Sequence, residues 1–258
     1  MTTLDAAREL LERSSIGWGK VCLVVESGST AHGVSSDSSD IDLTVVWTEN
    51  LRDLVVDHPR AGSRVIRTQP DGVRSGPGDI DMQVYSMRRF VGLAAGGNPS
   101  VLSVLFTPPE HQIHNKGFPS EELVGLIVSQ RAGAAYLGYF DGQLKRWREG
   151  TVSQRVNRPE LVAEHGFDRK YAAHAIRLGL QGTEYLLTGR VTLPIPEPDR
   201  SQLAVVRNGP ATEVEAFDWA VEVREQLVAA RDISPLPKHP DQAALDDFLV
   251  EWHRNGIC

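Results

Sequence analysis

Cysteine is almost absent: Cys22 and Cys258 are the whole complement. Thiols so far apart do not make the framework of a small disulfide-rich fold. Both are read as free thiols in a reducing cytoplasm, because a tie between them would need an ordered chain terminus. No run approaches the roughly 18 apolar residues of a membrane span. The opening MTTLDAARELLER is amphipathic and carries acids, which separates it from a secretory leader. Positive charge is in short supply, with 27 Lys and Arg against 34 Asp and Glu, a net −7. That balance argues against broad, sequence-blind binding to nucleic acid. No cluster of Cys and His has zinc spacing; His111 and His114 flank a loop with no further ligand pair in view. Internal repeats and low-complexity tracts are missing as well. What is present is an ordinary apolar and charged content over 258 residues, enough for one large domain or two small ones.

The informative stretch is VCLVVESGSTAHGVSSDSSDIDLTVV, from Val21 to Val46. Val21 to Val25 is a short β-branched apolar run, the length of one buried strand. Gly28 and Ser29 break it and open a short helical segment that ends at Gly33. Ser35 to Ser39 is polar and turn-prone. Asp40-Ile41-Asp42 then leads into a second apolar run, Leu43 to Trp47. Strand alternation points Asp40 and Asp42 the same way, about 6.5–7 Å apart at the backbone. Carboxylates at that spacing can converge on one or two hard cations. An isolated Asp-x-Asp at a strand edge is ordinarily a solvated turn. Here the Gly-Ser turn that precedes it follows a buried strand and opens a helix, so its N–H groups can face a phosphate. Gly28 to Gly33 also has the glycine spacing of a P-loop. Val34 and Ser35 follow, however, and the lysine of that motif is missing. A phosphate cradle beside a metal-binding pair is the chemistry of a nucleoside triphosphate site.

The segment ESGSTAHGVSSDSSDIDL resembles the signature of the DNA polymerase beta-like nucleotidyltransferase superfamily, Gly-Ser followed at a fixed gap by Asp-x-Asp. The fuller pattern is similar to a branch of predicted nucleotidyltransferases of bacteria and their phages. The weaker likeness runs from about Glu26 to Asn208 and includes the GNPSVLSVLF turn and helix. The resemblance implies an α+β fold, with a small mixed sheet and flanking helices followed by an all-helical region. It implies transfer of a nucleoside monophosphate from an NTP to a hydroxyl, with release of pyrophosphate. It implies two Mg²⁺ ions, with Mn²⁺ as a substitute, on Asp40, Asp42 and a third carboxylate from a neighbouring strand. The strand DIDMQVY supplies that third group. Alternation sets Ile80, Met82 and Val84 on one face and Asp79, Asp81, Gln83 and Tyr85 on the other. Asp81 is the better match and Asp79 the second candidate. Gly28 and Ser29 are expected to cradle the β- and γ-phosphates.

Further along, RVIRT reads as a strand, and Gln69 to Gly78 as a mobile loop able to reach over a substrate. Ser86 is placed to cap a helix from Met87 to Ala95. One helix is expected from Ser120 to about Trp147, a polar connector from Thr151 to Gly166, and helices at 168–188, 199–207, 212–231 and 242–254. The change from mixed to helical pattern near Pro119 suggests a catalytic domain at 1–118 and a helical domain at 119–258 that closes the nucleotide cleft. On the helix from Asp168 to Thr188, Lys170, His174, Arg177, Gln181 and Glu184 form a row at helical spacing. A solvated face is the plain reading. The row also resembles the branch's Lys-x-x-x-His-x-x-Arg helix, which would make Lys170, His174 and Arg177 phosphate ligands. The surrounding stretch is locally basic, with Lys145, Arg146, Arg148, Arg155, Arg158 and Arg169. It would suit a triphosphate or a phosphate-bearing acceptor. The acceptor stays open among RNA, protein and a small molecule, and so do two other classes, a silent nucleotide-binding module and a toxin or antitoxin acting on tRNA or protein.

Overall fold

A computed structural model describes residues 2–14, 16–36, 39–55, 62–152 and 166–255. The protein is α+β, and its chain divides into two compact units. The first gathers Met1–Ala94, Val101–Ile127 and Asp241–Cys258; the second gathers Ala95–Ser100 and Val128–Pro240. The C-terminal helix thus belongs with the sheet, whereas the sequence pattern alone groups it with the helical half.

In the first unit, α1 (Thr3–Arg13) starts at a capping box in which Thr2 and Asp5 exchange side-chain and backbone bonds. The sheet has five strands: β1 (Val21–Glu26), β2 (Ile41–Trp47), β3 (Ser63–Arg67), β4 (Ile80–Ser86) and β5 (Gln112–Asn115), in the order β3-β4-β2-β1-β5. β2 and β4 are parallel; every other neighbouring pair is antiparallel. Alternation in β4 is as expected, with Ile80, Met82 and Val84 buried. They join Leu43, Val45 and Trp47 of β2 in a core that also takes in Ala7 and Leu11 of α1. Each large side chain fully buried there contributes roughly 1.5–3 kcal/mol. The tight turn after β1 is α2 (Gly28–Ala31), and α3 (Leu51–Val55) follows β2. Ser86 ends β4 and caps α4 (Met87–Ala95), accepting the Arg89 N–H at 3.3 Å. α5 (Pro99–Leu105) and α6 (Ser120–Ile127) come next in the chain.

β5 was not legible in the sequence, where residues 111–114 read as loop. Four residues without apolar alternation carry no strand signal of their own. Their backbone groups are claimed by the open edge of β1. The free-thiol reading of Cys22 is also corrected: Cys22 is disulfide-bonded, and Cys258 lies outside the described residues. The connector at 153–165, with Arg155 and Arg158, is outside them too.

The second unit is helical: α7 (Arg131–Val152), α8 (Arg169–Thr188), α9 (Asp199–Asn208) and α10 (Glu213–Ile233). The single helix expected from Ser120 is in fact two, broken at residues 128–130. Tertiary hydrogen bonds hold the break. The Ser129 N–H donates to Tyr185 Oη at 3.2 Å, and the Gln130 N–H to the Pro237 carbonyl at 2.7 Å. The Gln130 amide adds bonds to the carbonyls of Ser234 and Leu236. Asp168 caps α8 by accepting from the N–H groups of Lys170 and Tyr171. Gly182 lets α8 pack close: a Cβ there would lie 2.8 Å from Leu227 and Tyr136 side-chain atoms. Among the described residues no helix is long and apolar enough to cross a membrane.

The last helix, α11 (Gln242–Asn255), docks on the sheet unit through polar groups. Trp252 Nε1 donates to Thr48 Oγ1 at 2.8 Å, and His253 Nε2 lies 3.2 Å from Glu49 Oε2. Burial pushes Glu49 up, but bonds from His253 and Ser86 outweigh it, and the net shift is downward. The Glu49 bond raises His253 above 6.5. A raised histidine stabilises fully below its unfolded pKa and loses that contribution as pH rises through its folded value. A lowered carboxylate stabilises above its unfolded value, 4.5 here, and loses that contribution as pH falls through its folded one. Unfolding free energy should therefore be highest between these limits and fall on both sides. Glu49→Gln should cost about 1–3 kcal/mol near pH 6 and flatten both limbs. Urea titrations across pH on both proteins would check this; an unchanged pH profile in the variant would contradict it.

Candidate active site

Gly28 stands at φ +57°, and a Cβ built on it would lie 2.0 Å from Asp42 Oδ2. Only glycine lets the Asp42 carboxylate lie against the backbone of the turn. The contact is reinforced by the Ser27 N–H, which donates to the Asp42 carbonyl at 2.9 Å. Ser27, the N-cap of α2, makes no side-chain capping bond, so no cap closes that first turn. Ser29 is buried just inside it. The sequence reading brought Gly28, Ser29 and Asp42 to one place, and the fold does so.

β2 and β4 run parallel in a register that pairs Asp42 directly with Asp81. Neighbouring strands lie about 4.8 Å apart, so the two residues are adjacent across the sheet. β3 continues the row, with Arg67 paired to Asp81. Asp40 precedes β2 and is half-buried. The two candidates for a third carboxylate are in different circumstances. Asp79 accepts from Thr68 Oγ1, Gln69 Nε2 and the Gly76 N–H, at 3.0, 3.0 and 2.9 Å. The Gly76 N–H, with Gln69 and Thr68, holds its carboxyl below the usual carboxylate range. Asp79 thus fastens the Gln69–Gly78 loop through its side chain. Asp81 is in the row with Asp42. Its Oδ1 accepts from Arg67 Nε at 3.0 Å and from Ser75 Oγ at 2.8 Å.

Arg67 was not singled out from the sequence. Its position in RVIRT carries no signal, because its pairing with Asp81 exists only once β3 and β4 are in register. The Asp81 hydrogen bond holds the guanidinium above its ordinary value, and the charges of Asp81, Asp71 and Asp40 add to this. Asp40 thus belongs to the same electrostatic neighbourhood.

Hard carboxylate oxygens pressed against a bare glycine turn are the right donors for Mg²⁺ or Mn²⁺. Asp40 and Asp42 carry donors of that type. Among the described residues no group of three Asp, Glu, His or Cys is gathered closely enough to hold a metal. Asp81 is engaged by Arg67 and Ser75.

Lys170, His174 and Arg177 lie on α8 in the helical unit, apart in the chain from the sheet residues. Their row is not a solvated face. Lys170, His174, Arg177 and Glu184 are half-buried, and Gln181 is buried. Tyr171 beside them is half-buried too. Arg177 Nη1 donates to Gln181 Oε1 at 2.7 Å. Burial pushes the guanidinium down to about 10; Tyr136 opposes the shift and Arg207 adds to it. Arg177 therefore remains a cation at neutral pH, with a second arginine in its field. Arg207 is a further member of this region that the α8 spacing could not reveal, since it comes from α9.

The match of the whole chain to known proteins now decides the family. Residues 4–251 fit the family described as the RNA repair pathway DNA polymerase beta family. The chain belongs to that family. The Gly-Ser and Asp-x-Asp resemblance pointed to the DNA polymerase beta-like superfamily, and this membership agrees with it. A relative from Enterobacteria phage T4, the uncharacterized 38.9 kDa protein in the nrdC-mobD intergenic region, is 31% identical over 83 residues. That match spans 32% of this chain and 24% of the phage protein, about a quarter of its length. Spectinomycin adenyltransferase from Enterococcus faecialis, solved with ATP and spectinomycin, aligns over 87% of this chain and 98% of its own, at 12% identity and a TM-score of 0.46. A nucleotidyltransferase-like protein from Exiguobacterium sibiricum aligns over 88% and 75%, at 10% identity and a TM-score of 0.33. At those values neither structure informs the chemistry.

The Gly28–Asp42 contact makes a direct demand on stability. Gly28→Ala should cost about 1–3 kcal/mol from the positive φ and the displaced carboxylate together. In an Asp42→Ala background the same change should cost measurably less, because the atoms it collides with are gone. Equal costs in the two backgrounds, by urea denaturation, would show that Asp42 does not pack on the turn.

Proposed function

We propose that the protein transfers a nucleoside monophosphate from an NTP to a hydroxyl-bearing acceptor in a metal-dependent reaction that releases pyrophosphate. The observation that carries this is the Asp42 carboxylate seated on the bare Gly28 turn, in register with Asp81. Asp40 and Asp42 would hold the divalent cation, with Asp81 as the third ligand. When bound, such an ion supplies positive charge to the phosphoryl oxygens and to the attacking and leaving oxygens of an in-line displacement. The residues of the chain do the rest. Backbone N–H groups at Gly28 and Ser29 hold phosphate oxygens at the open first turn of α2. Asp81, beside Asp42, would accept the proton of the attacking hydroxyl. Lys170, His174 and Arg177 give the helical unit a row of donors for phosphate, and Arg177 can offer two parallel bonds.

The family description favours RNA as the acceptor over a protein or a small molecule. The net charge of −7 is compatible with this where contact is confined to a chain end. A silent nucleotide-binding module is the second reading, and the engagement of Asp81 by Arg67 and Ser75 is the observation that favours it.

Purified protein incubated with Mg²⁺, each labelled NTP and total RNA should release pyrophosphate and label an RNA band. Asp42→Asn should lower that turnover by about a hundred-fold or more with an unchanged far-UV spectrum. Near wild-type turnover in the variant would overturn the roles given to the aspartates. Nucleotide binding without transfer under every condition would select the silent module.

A further inference from the structure

Arg67, Ser75 and Asp81 close a ring of hydrogen bonds. Arg67 Nε donates to Asp81 Oδ1 at 3.0 Å, Arg67 Nη2 to Ser75 Oγ at 2.8 Å, and the Ser75 hydroxyl to Asp81 Oδ1 at 2.8 Å. The ring is not needed to hold the local fold. β3 pairs with β4 along its backbone from Ser63 to Arg67. The loop that carries Ser75 is fastened separately by Asp79. Both donors go to Oδ1; among the described residues no hydrogen bond is recorded to Asp81 Oδ2. The side chains of Arg67 and Asp81 are 24% and 23% exposed, so the pair is shielded yet open to exchange. The ring therefore places a fixed positive charge on the carboxylate that pairs across the sheet with Asp42.

The geometry points to Arg67 as a positioning residue, a stand-in cation that holds Asp81 until a divalent metal and a nucleoside triphosphate arrive together. This rests on the nucleotidyl-transfer reading. A guanidinium and a divalent ion on one carboxylate repel, so each weakens the other's hold. A triphosphate changes the balance, because its oxygens give the displaced guanidinium a new anionic partner. Metal alone then binds weakly, metal with nucleotide binds tightly, and the coupling is reciprocal. Such a device keeps the site from filling with metal when no nucleotide is present.

The test is a titration with Mn²⁺, following the free ion by electron paramagnetic resonance, with and without a non-hydrolysable α,β-methylene NTP. Wild-type protein should gain about tenfold or more in Mn²⁺ affinity when the analogue is added. Arg67→Ala should bind Mn²⁺ more tightly than wild type without nucleotide and lose most of that gain. Arg67→Lys should keep part of the coupling, and Ser75→Ala should shift affinity in the same direction as Arg67→Ala by a smaller factor. Those two variants decide the matter should Arg67→Ala fail to fold. Coupling in the variants equal to wild type, or Mn²⁺ binding weakened in all of them, would overturn the stand-in role and leave the metal reading intact. No Mn²⁺ binding by wild type in either condition would overturn both.

Discussion

The contact between the Asp42 carboxylate and the backbone of Gly28 is the constraint on which the rest of the candidate site depends. A side chain at Gly28 would occupy the space of that carboxylate, so the turn after β1 and the start of β2 are specified together. Asp42 is then held near the start of the central strand β2, with its neighbours set by strand pairing. The parallel register brings Asp81 beside it, and the antiparallel register of β3 brings Arg67 beside Asp81. Three strands that are far apart in the chain thus contribute one row of charge. The row is negative at two positions and positive at the third, so Arg67 offsets part of the repulsion between the neighbouring aspartates.

The two units support different kinds of polar group. The sheet unit concentrates carboxylates at the start of β2 and β4, over a core of apolar residues and α1. Rigid strands suit that purpose, since carboxylates near one another need their separation controlled. The helical unit half-buries a row of donors along α8 and places Arg177 in the field of Arg207. Gly182 permits the close helix packing in that unit. A cation in such surroundings carries a desolvation cost, which is why Arg177 is held below its ordinary value.

Much of the site was legible from residue order. Gly28, Ser29, Asp40 and Asp42 lie within one strand-turn-strand segment, and spacing within a segment is a property of the chain. The alternation of β4 likewise put Asp79 and Asp81 on one face before any partner strand was known. Choosing between them needed the structure, because both satisfy the alternation. Asp79 is consumed by its own loop and Asp81 is aligned with Asp42, and neither fact follows from local pattern. The break between α6 and α7 was invisible for a similar reason: Ser129 and Gln130 are bent away from helix by partners near Tyr185 and Pro237.

The sequence by itself determined the glycine turn with its two aspartates and the residues of the α8 row, since each is written in period or short-range spacing, while the α+β class followed from the family resemblance. Tertiary structure alone decided that β5 exists, that Arg67 engages Asp81, that the C-terminal helix packs with the sheet through Thr48 and Glu49, and that the α8 row is half-buried. Each of these depends on pairing between segments distant in the chain. Hydrogen bonding across an open strand edge and desolvation of a helix face are set by whatever packs against them, and that information is not local.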